Sequence, residues 1–356
     1  MATEDEILQT LESLPGPDGA PLARAISGIN FSSGKAFVSL AGDPARAKEW
    51  EAARLAAQGA IERIGCVERA IVSLTAEHKP AAQQAPRRPS LAALDRVRFI
   101  VAVGSGKGGV GKSTTSVNLA LGLAAQGWKV GLLDADIYGP SAPRLLGLSG
   151  KPEVAENKLV PMQAYGIKAM SIGFLVNENE AMIWRGPMAT QALTQMLGEV
   201  LWGELDALIV DMPPGTGDVQ LTMAQQVPLA GAVIVSTPQD MALIDARRAV
   251  SMFRKVEIPV LGIVENMSYF LCPHCGGRSD IFAHGGARRD AEALGVPFLG
   301  EAPLDIKIRE TSDAGRPVVA TDPQGPQAAA YLNLAAKVKT LLETGSRRAP
   351  PRIIAG

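Results

Sequence analysis

Gly106–Ser113 reads GKGGVGKS, which fits G-x-x-x-x-G-K-[ST] without a gap. In that pattern glycine backbone N–H groups converge on phosphate oxygens, and a side chain on the glycines would block the approach. Gly106, Gly108, Gly109, Val110, Gly111 and Thr114 are assigned to the nucleotide cradle. Lys112 is placed against the β- and γ-phosphates and Ser113 on Mg²⁺. Two acidic strings follow: DADIYGPS (Asp134–Ser141) and DMPPGTGD (Asp211–Asp218). Each begins where an apolar run ends. An aspartate ending a strand near such a loop is the usual holder of Mg²⁺, so Asp211 is read in that role. Gly215 and Gly217 would bring backbone N–H groups to a γ-phosphate. Further on, Cys272-Pro-His-Cys275 is a C-x-x-C turn that can present two thiolates to one metal centre.

Two thiolates do not close a site, since structural zinc and cubane clusters typically take four ligands. The chain has no second C-x-x-C, and its third cysteine, Cys66, is read as a packed small hydrophobe. A symmetric dimer would supply the missing pair. Cysteine chemistry alone leaves a shared [4Fe–4S] cluster and a shared Zn²⁺ both open. A redox C-x-x-C lacks its usual place at the start of a helix. His274 and His284 are read as surface polar residues.

The elements that must position these groups follow from the apolar pattern. Phe99–Val103 (FIVAV) predicts a buried strand before the glycine loop, and the spacing over 113–126 predicts a helix after it. That helix points its positive N-terminal end at the same anion. Further strands are expected over 129–134, 207–211, 232–236 and 260–265, with a helix over 241–256. Strand and helix alternate, which predicts an α/β fold with a doubly wound, mostly parallel sheet. Residues 1–78 predict a small separate α+β unit with helices over 6–13 and 45–64 and strands over 26–30, 35–40 and 67–74. Residues 79–95, beginning KPAAQQAPRRPS, read as a linker; 96–345 form the larger domain and 346–356 a tail.

Composition bounds the function. The 356 residues are 47% hydrophobic with a net charge of −1, so no global field favours nucleic acid or an anionic membrane. Aromatics are 4%, too few for a base-stacking surface. No run is long and apolar enough to span a membrane, and the opening MATEDEI is unlike a signal peptide. Three cysteines do not make a disulfide framework, so a reducing cytoplasm is the expected compartment. Asn266 directly follows the strand over 260–265, and no Asn-Lys-x-Asp string for reading guanine occurs, which favours ATP over GTP.

Lys107 adds a second lysine to the loop, giving KGGVGK. This resembles the deviant P-loop of the ATPase class that includes septum-positioning, plasmid-partition and arsenite-pump ATPases and the nitrogenase iron protein. The resemblance narrows over Gly104–Thr114, DADIYGPS, WRGPM (Trp184–Met188), DMPPGTGD, TPQDMALIDARRAV (Thr237–Val250) and ENMSYFLCPHCG (Glu265–Gly276). Together these resemble the Mrp/ApbC family of iron–sulfur cluster carrier ATPases, from Val97 to about Leu342. The resemblance implies a homodimer with a [4Fe–4S] cluster bridged between subunits on Cys272 and Cys275. It implies that Lys107 acts in trans on the partner's nucleotide, that Asp136 positions the attacking water and that Asn266 hydrogen-bonds adenine. Implied partners are apo iron–sulfur proteins and cluster assembly factors, not nucleic acid or membrane. The small N-terminal unit resembles a domain often fused in front of such carriers. The chain lacks the N-terminal four-cysteine site of eukaryotic cytosolic relatives, so a bacterial-type carrier with one kind of cluster site is expected. A zinc-bridged regulatory or positioning ATPase of the same class is the alternative. A membrane-cycling ATPase would need an amphipathic C-terminal helix, which the proline-broken TGSRRAPPRIIAG does not offer. A nitrogenase-type electron donor would use two cysteines far apart in the chain.

Overall fold

A computed structural model describes residues 4–32, 34–42, 46–65, 67, 69–76, 91–175 and 186–345. Cys66, most of the linker, the Trp184–Arg185 pair and the 346–356 tail lie outside the described residues. The chain divides into two compact units, Met1–Arg87 and Arg88–Gly356.

The small unit runs α1 (Glu4–Glu12), β1 (Ile26–Ser32), β2 (Lys35–Gly42), α2 (Ala47–Ile61) and β3 (Arg69–Ala76). β2 is antiparallel to β1 and parallel to β3, in the order β1-β2-β3. Ala36, Val38 and Leu40 of β2 alternate inward and meet Ile7, Leu11, Trp50, Ala57 and Ile61 from the helices.

The larger unit begins with a short 3-10 turn, Leu91–Leu94, whose Leu94 is buried in that unit's core. The linker expected over 79–95 therefore gives way to packed structure before its end, because Leu94 has an apolar site to fill. Elements then follow in order: β4 (Val97–Gly104), α3 (Lys112–Ala125), β5 (Val130–Asp134) and α4 (Ala142–Leu146). A small hairpin, β6 (Val154–Ala155) and β7 (Lys158–Leu159), precedes β8 (Met162–Ala164), β9 (Ile167–Ser171), α5 (Gly186–Glu199) and β10 (Leu205–Asp211). Next come α6 (Asp218–Gln226), β11 (Gly231–Ser236), α7 (Asp240–Lys255) and β12 (Val260–Glu265). A second hairpin, β13 (Phe270–Leu271) and β14 (Arg278–Ser279), leads into α8 (Gly286–Leu294), β15 (Phe298–Glu301), α9 (Ile306–Asp313), α10 (Val318–Thr321) and α11 (Pro326–Thr344).

Eight strands form one sheet in the order β15-β12-β11-β4-β10-β5-β9-β8. All pairings are parallel except β8 with β9. Successive strand residues feed opposite faces. Ile100 and Ala102 of β4 join a core with α5, α6, α7 and α8, while Phe99, Val101 and Val103 join one with α3 and α11. Gly122 of α3 allows α11 to approach closely, since a Cβ there would stand 2.8 Å from the Ala335 methyl. With β4 central and its neighbours parallel, the loops after β4, β5, β10, β11 and β12 all leave from the carboxyl end of the sheet.

Candidate functional site

β4 ends at Gly104, and the loop turns sharply into α3. Gly109 and Gly111 have φ of 78° and 80°, a region a side chain disfavours. A Cβ on Gly108 or Gly109 would meet nothing within 4 Å, so these backbones face open space where an anion can approach. Two other glycines are required by packing. A Cβ on Gly106 would fall 2.2 Å from the Asp245 backbone of α7, and one on Gly111 would fall 2.1 Å from Asn266 Nδ2.

Lys112 opens α3 and is 6% exposed. Its Nζ lies 2.8 Å from Asp211 Oδ1, 3.3 Å from Ser113 Oγ and 3.6 Å from Asp136 Oδ2. Asp211 Oδ1 also accepts from Ser116 Oγ at 2.7 Å. The structure therefore brings Lys112, Ser113, Asp136 and Asp211 together, although Lys112 and Asp211 are 99 residues apart. Two buried carboxylate oxygens here have no hydrogen-bond partner: Asp136 Oδ1 and Asp211 Oδ2. Orphaned buried carboxylate oxygens beside a lysine and a serine hydroxyl suit a hard divalent cation or a polarised water.

Asp134 closes the other side. It is fully buried and pairs in register with Asp211 on the neighbouring strand. Its carboxylate accepts from Asp136 N–H, Ser141 N–H, Ala142 N–H and Ser171 Oγ at 2.9–3.1 Å. It thereby ties down both ends of the loop that carries Asp136. Burial, then the charge of Asp211, push the Asp134 carboxyl up to about 7, against the pull of the Ala142 and Asp136 N–H groups and Lys112. Burial also raises Asp136, with Lys112 opposing it.

Two placements add contacts that the sequence does not show. The Gly215 N–H donates to the Ser105 carbonyl at 3.0 Å, so it joins the 211–218 loop to the glycine loop. Its φ of 97° is what turns the backbone that way. Asn266 Nδ2 donates to the Val110 carbonyl at 2.8 Å, which seats the side chain on the glycine loop itself. Lys107 is half-buried and has no ion-pair partner among the described residues.

Cys272 and Cys275 sit on the turn of the β13–β14 hairpin. Cys272 N–H donates to the Gly277 carbonyl and Gly276 N–H to the Cys272 carbonyl, both at 2.9 Å. Gly276 takes φ of 71° to close the turn. The backbone of Cys275, then that of His274, and the Cys275 side chain favour the Cys272 thiolate and hold its thiol below the ordinary range. Cys272 is half-buried and Cys275 exposed, and both are free. No cluster of three or more His, Cys, Asp or Glu that could hold a metal occurs among the described residues. The turn fits two ligands of a thiolate-bound centre and leaves the others to come from elsewhere. The hairpin is anchored to the sheet by Leu304 N–H donating to the Tyr269 carbonyl at 2.7 Å, and Arg278 lies over the Tyr269 ring. No helix among the described residues is long and apolar enough to cross a membrane.

Fold and site together define a P-loop NTPase: a mostly parallel α/β sheet, a glycine loop opening a helix, and strand-end aspartates facing its lysine. A family model described as NUBPL iron-transfer P-loop NTPase, within the ParA group, matches residues 96–339. The chain is 54% identical over 254 residues to the iron–sulfur cluster transfer protein NUBPL of Dictyostelium discoideum, covering 70% of this chain and 79% of that one. It is 56% identical over 252 residues to the iron–sulfur cluster carrier protein of Haemophilus influenzae, covering 70% and 68%. Among solved structures, a nucleotide-binding protein from Archaeoglobus fulgidus in complex with ADP matches with a TM-score of 0.59 and 43% identity, over 67% of this chain and 93% of that one. The chain belongs to the NUBPL/Mrp family of iron–sulfur cluster transfer P-loop NTPases.

Proposed function

We propose that this protein is an ATP-driven carrier that holds a [4Fe–4S] cluster between two protomers and passes it to apoproteins. The observation that carries the reading is the common origin of the two sites. Asn266, seated on the glycine loop, and Cys272, on the thiolate turn, lie six positions apart after a single strand, β12. Cys272 and Cys275 from each of two protomers would make four thiolates, the number a cubane cluster takes. The lowered Cys272 thiol favours the thiolate that binds iron.

At the nucleotide site, Lys112 exchanges Asp211 for the β- and γ-phosphates, while N–H groups of the glycine loop and the start of α3 hold the remaining oxygens. Asn266 keeps its bond to Val110 and offers Oδ1 to the adenine amino group. Mg²⁺, when bound, offsets phosphate charge, and Ser113 with the unpartnered Asp211 Oδ2 would hold it. Asp136 Oδ1 orients a water toward the γ-phosphorus. The new P–O bond forms as the bond to the β–γ bridging oxygen breaks, giving ADP and phosphate, and the water's proton leaves on the phosphate or to solvent. Lys107 reaches the partner's nucleotide, which makes hydrolysis depend on the dimer. The loops over 134–141 and 211–218 then re-form the contacts seen here, among them Gly215 to Ser105. The small unit is assigned to iron–sulfur assembly on its pattern and position, and the expected compartment is the cytoplasm.

The hydrolytic part has a direct test. Asp136→Asn keeps shape and size but lowers the basicity of the group that faces the water. Turnover is expected to fall at least about tenfold with ATP binding retained. Unchanged turnover in a phosphate-release assay would return Asp136 to a purely structural role.

A further inference from the structure

Glu265 ends β12 and is completely buried, yet it belongs to neither site. Its Oε1 accepts from Ser268 Oγ at 2.6 Å and from Gly285 N–H at 2.9 Å, and its Oε2 from Ala287 N–H at 2.7 Å. Ser268 lies just before the thiolate hairpin, and Gly285 and Ala287 lie just after it, at the start of α8. One carboxylate therefore clamps both ends of the segment that carries Cys272 and Cys275. The next residue, Asn266, reaches the opposite way, to the Val110 carbonyl and the Gly111 backbone. Met267 separates the two bonds with φ of 54°, a left-handed conformation rare outside glycine. That turn lets Asn266 face the glycine loop while Ser268 folds back onto Glu265.

A second contact runs in parallel. The Gly106 backbone rests on Asp245 of α7, and the Gly286 backbone, at the start of α8, rests on Leu243 and the Pro238 carbonyl. A Cβ on Gly286 would stand 2.5 Å from Leu243 Cδ1 and 3.1 Å from the Pro238 carbonyl oxygen, so the two helices approach closely here. The glycine loop and the start of α8 are thus joined by two chains of contact, one through Asn266 and Glu265 and one through α7.

We infer that Glu265 is the positioning residue that couples nucleotide at the glycine loop to the geometry of the thiolate turn. The inference rests on the ATP-driven carrier reading. A carboxylate accepts three donors without conflict. A glutamine has one acceptor oxygen, and its NH₂ would face an N–H or hydroxyl donor. Glu265→Gln thus preserves volume and loosens the clamp, leaving Lys112, Asp136, Cys272 and Cys275 as they are.

Amide hydrogen exchange on the full chain without iron or sulfide, with and without ADP and Mg²⁺, reads this coupling. In the wild type, ADP is expected to slow exchange over residues 268–287 by about fivefold or more, the lower end of ordinary coupling between sites. In Glu265→Gln that response is lost while residues 104–115 remain protected by ADP. A residue that merely supported the fold would change exchange in both regions alike. A wild-type-sized response over 268–287 in Glu265→Gln overturns the inference, as does absence of any response in the wild type. If ADP fails to protect 104–115 in Glu265→Gln, the milder Ser268→Ala decides. It removes one of the three bonds and is expected to reduce the response at 268–287, and an undiminished response overturns the inference. Failure of the carrier reading shows separately, as wild-type protein that takes up neither iron nor sulfide on reconstitution.

Discussion

Cys272→Ala and Cys275→Ala proteins, reconstituted anaerobically, are each expected to hold no cluster while binding ATP as the wild type does. Each substitution acts twice in a dimer, so two of four thiolates disappear together. The pair that remains cannot close the coordination of a cubane cluster. The hairpin itself should survive, because it is held by the Phe270–Ser279 and Leu271–Arg278 pairings and by Leu304, not by the sulfurs. Iron content and visible absorbance check the loss, and calorimetric titration with ATP checks the retention. Full iron content in either variant would move the ligands elsewhere.

Lys112→Ala is expected to do two separate kinds of damage. Contacts of a fixed cation to phosphate are worth roughly 1.5–3 kcal/mol each, so losing two should weaken ATP binding by about 100-fold or more. The second effect is on folding. Lys112 is the cation between Asp211 and Asp136, with Asp134 packed beside them. Removing one partner of such a buried pair costs about 3–5 kcal/mol near neutral pH. That cost depends on pH in a defined direction. Asp134 and Asp136 already titrate above the ordinary carboxylate range in the folded chain, and loss of the lysine raises them further. Below the unfolded carboxyl pKa both states are protonated and the penalty is absent. It grows as pH rises through the raised folded values, about 7 for Asp134 in the intact site. The melting-temperature gap between Lys112→Ala and wild type should therefore narrow from pH 8 to pH 5. A gap independent of pH would mean that the lysine does not compensate these carboxylates.

The glycine loop was legible because its spacing is local: strand, turn and helix are contiguous, and the motif fixes which residue faces the anion. The aspartates were legible as strand ends, and parallel pairing of β5 with β10 and β10 with β4 placed them beside the loop. What Asp134 does was hidden, because its donors Ser141, Ala142 and Ser171 come from a later loop and strand. Glu265 was hidden for the same reason. As the last letter of VLGIVE it reads as a polar strand end, and its partners at 285 and 287 lie a whole hairpin away. Short or interrupted apolar runs concealed other elements. β15 is only FLGE, and the antiparallel β8 strand is MQA. The bond from Gly215 to Ser105 was hidden too, since glycine reports a permitted backbone shape, not the acceptor its N–H will find. The thiolate turn was visible as a ligand pair, but two sulfurs cannot say which metal they hold or that a second chain completes them.

Iron, zinc and acid-labile sulfide on anaerobically purified full-length protein test the central claim most directly. A four-iron cluster shared by two protomers predicts about two irons and two sulfides per protomer, with both lost on Cys272→Ala. Zinc at one per dimer with no acid-labile sulfide would contradict it.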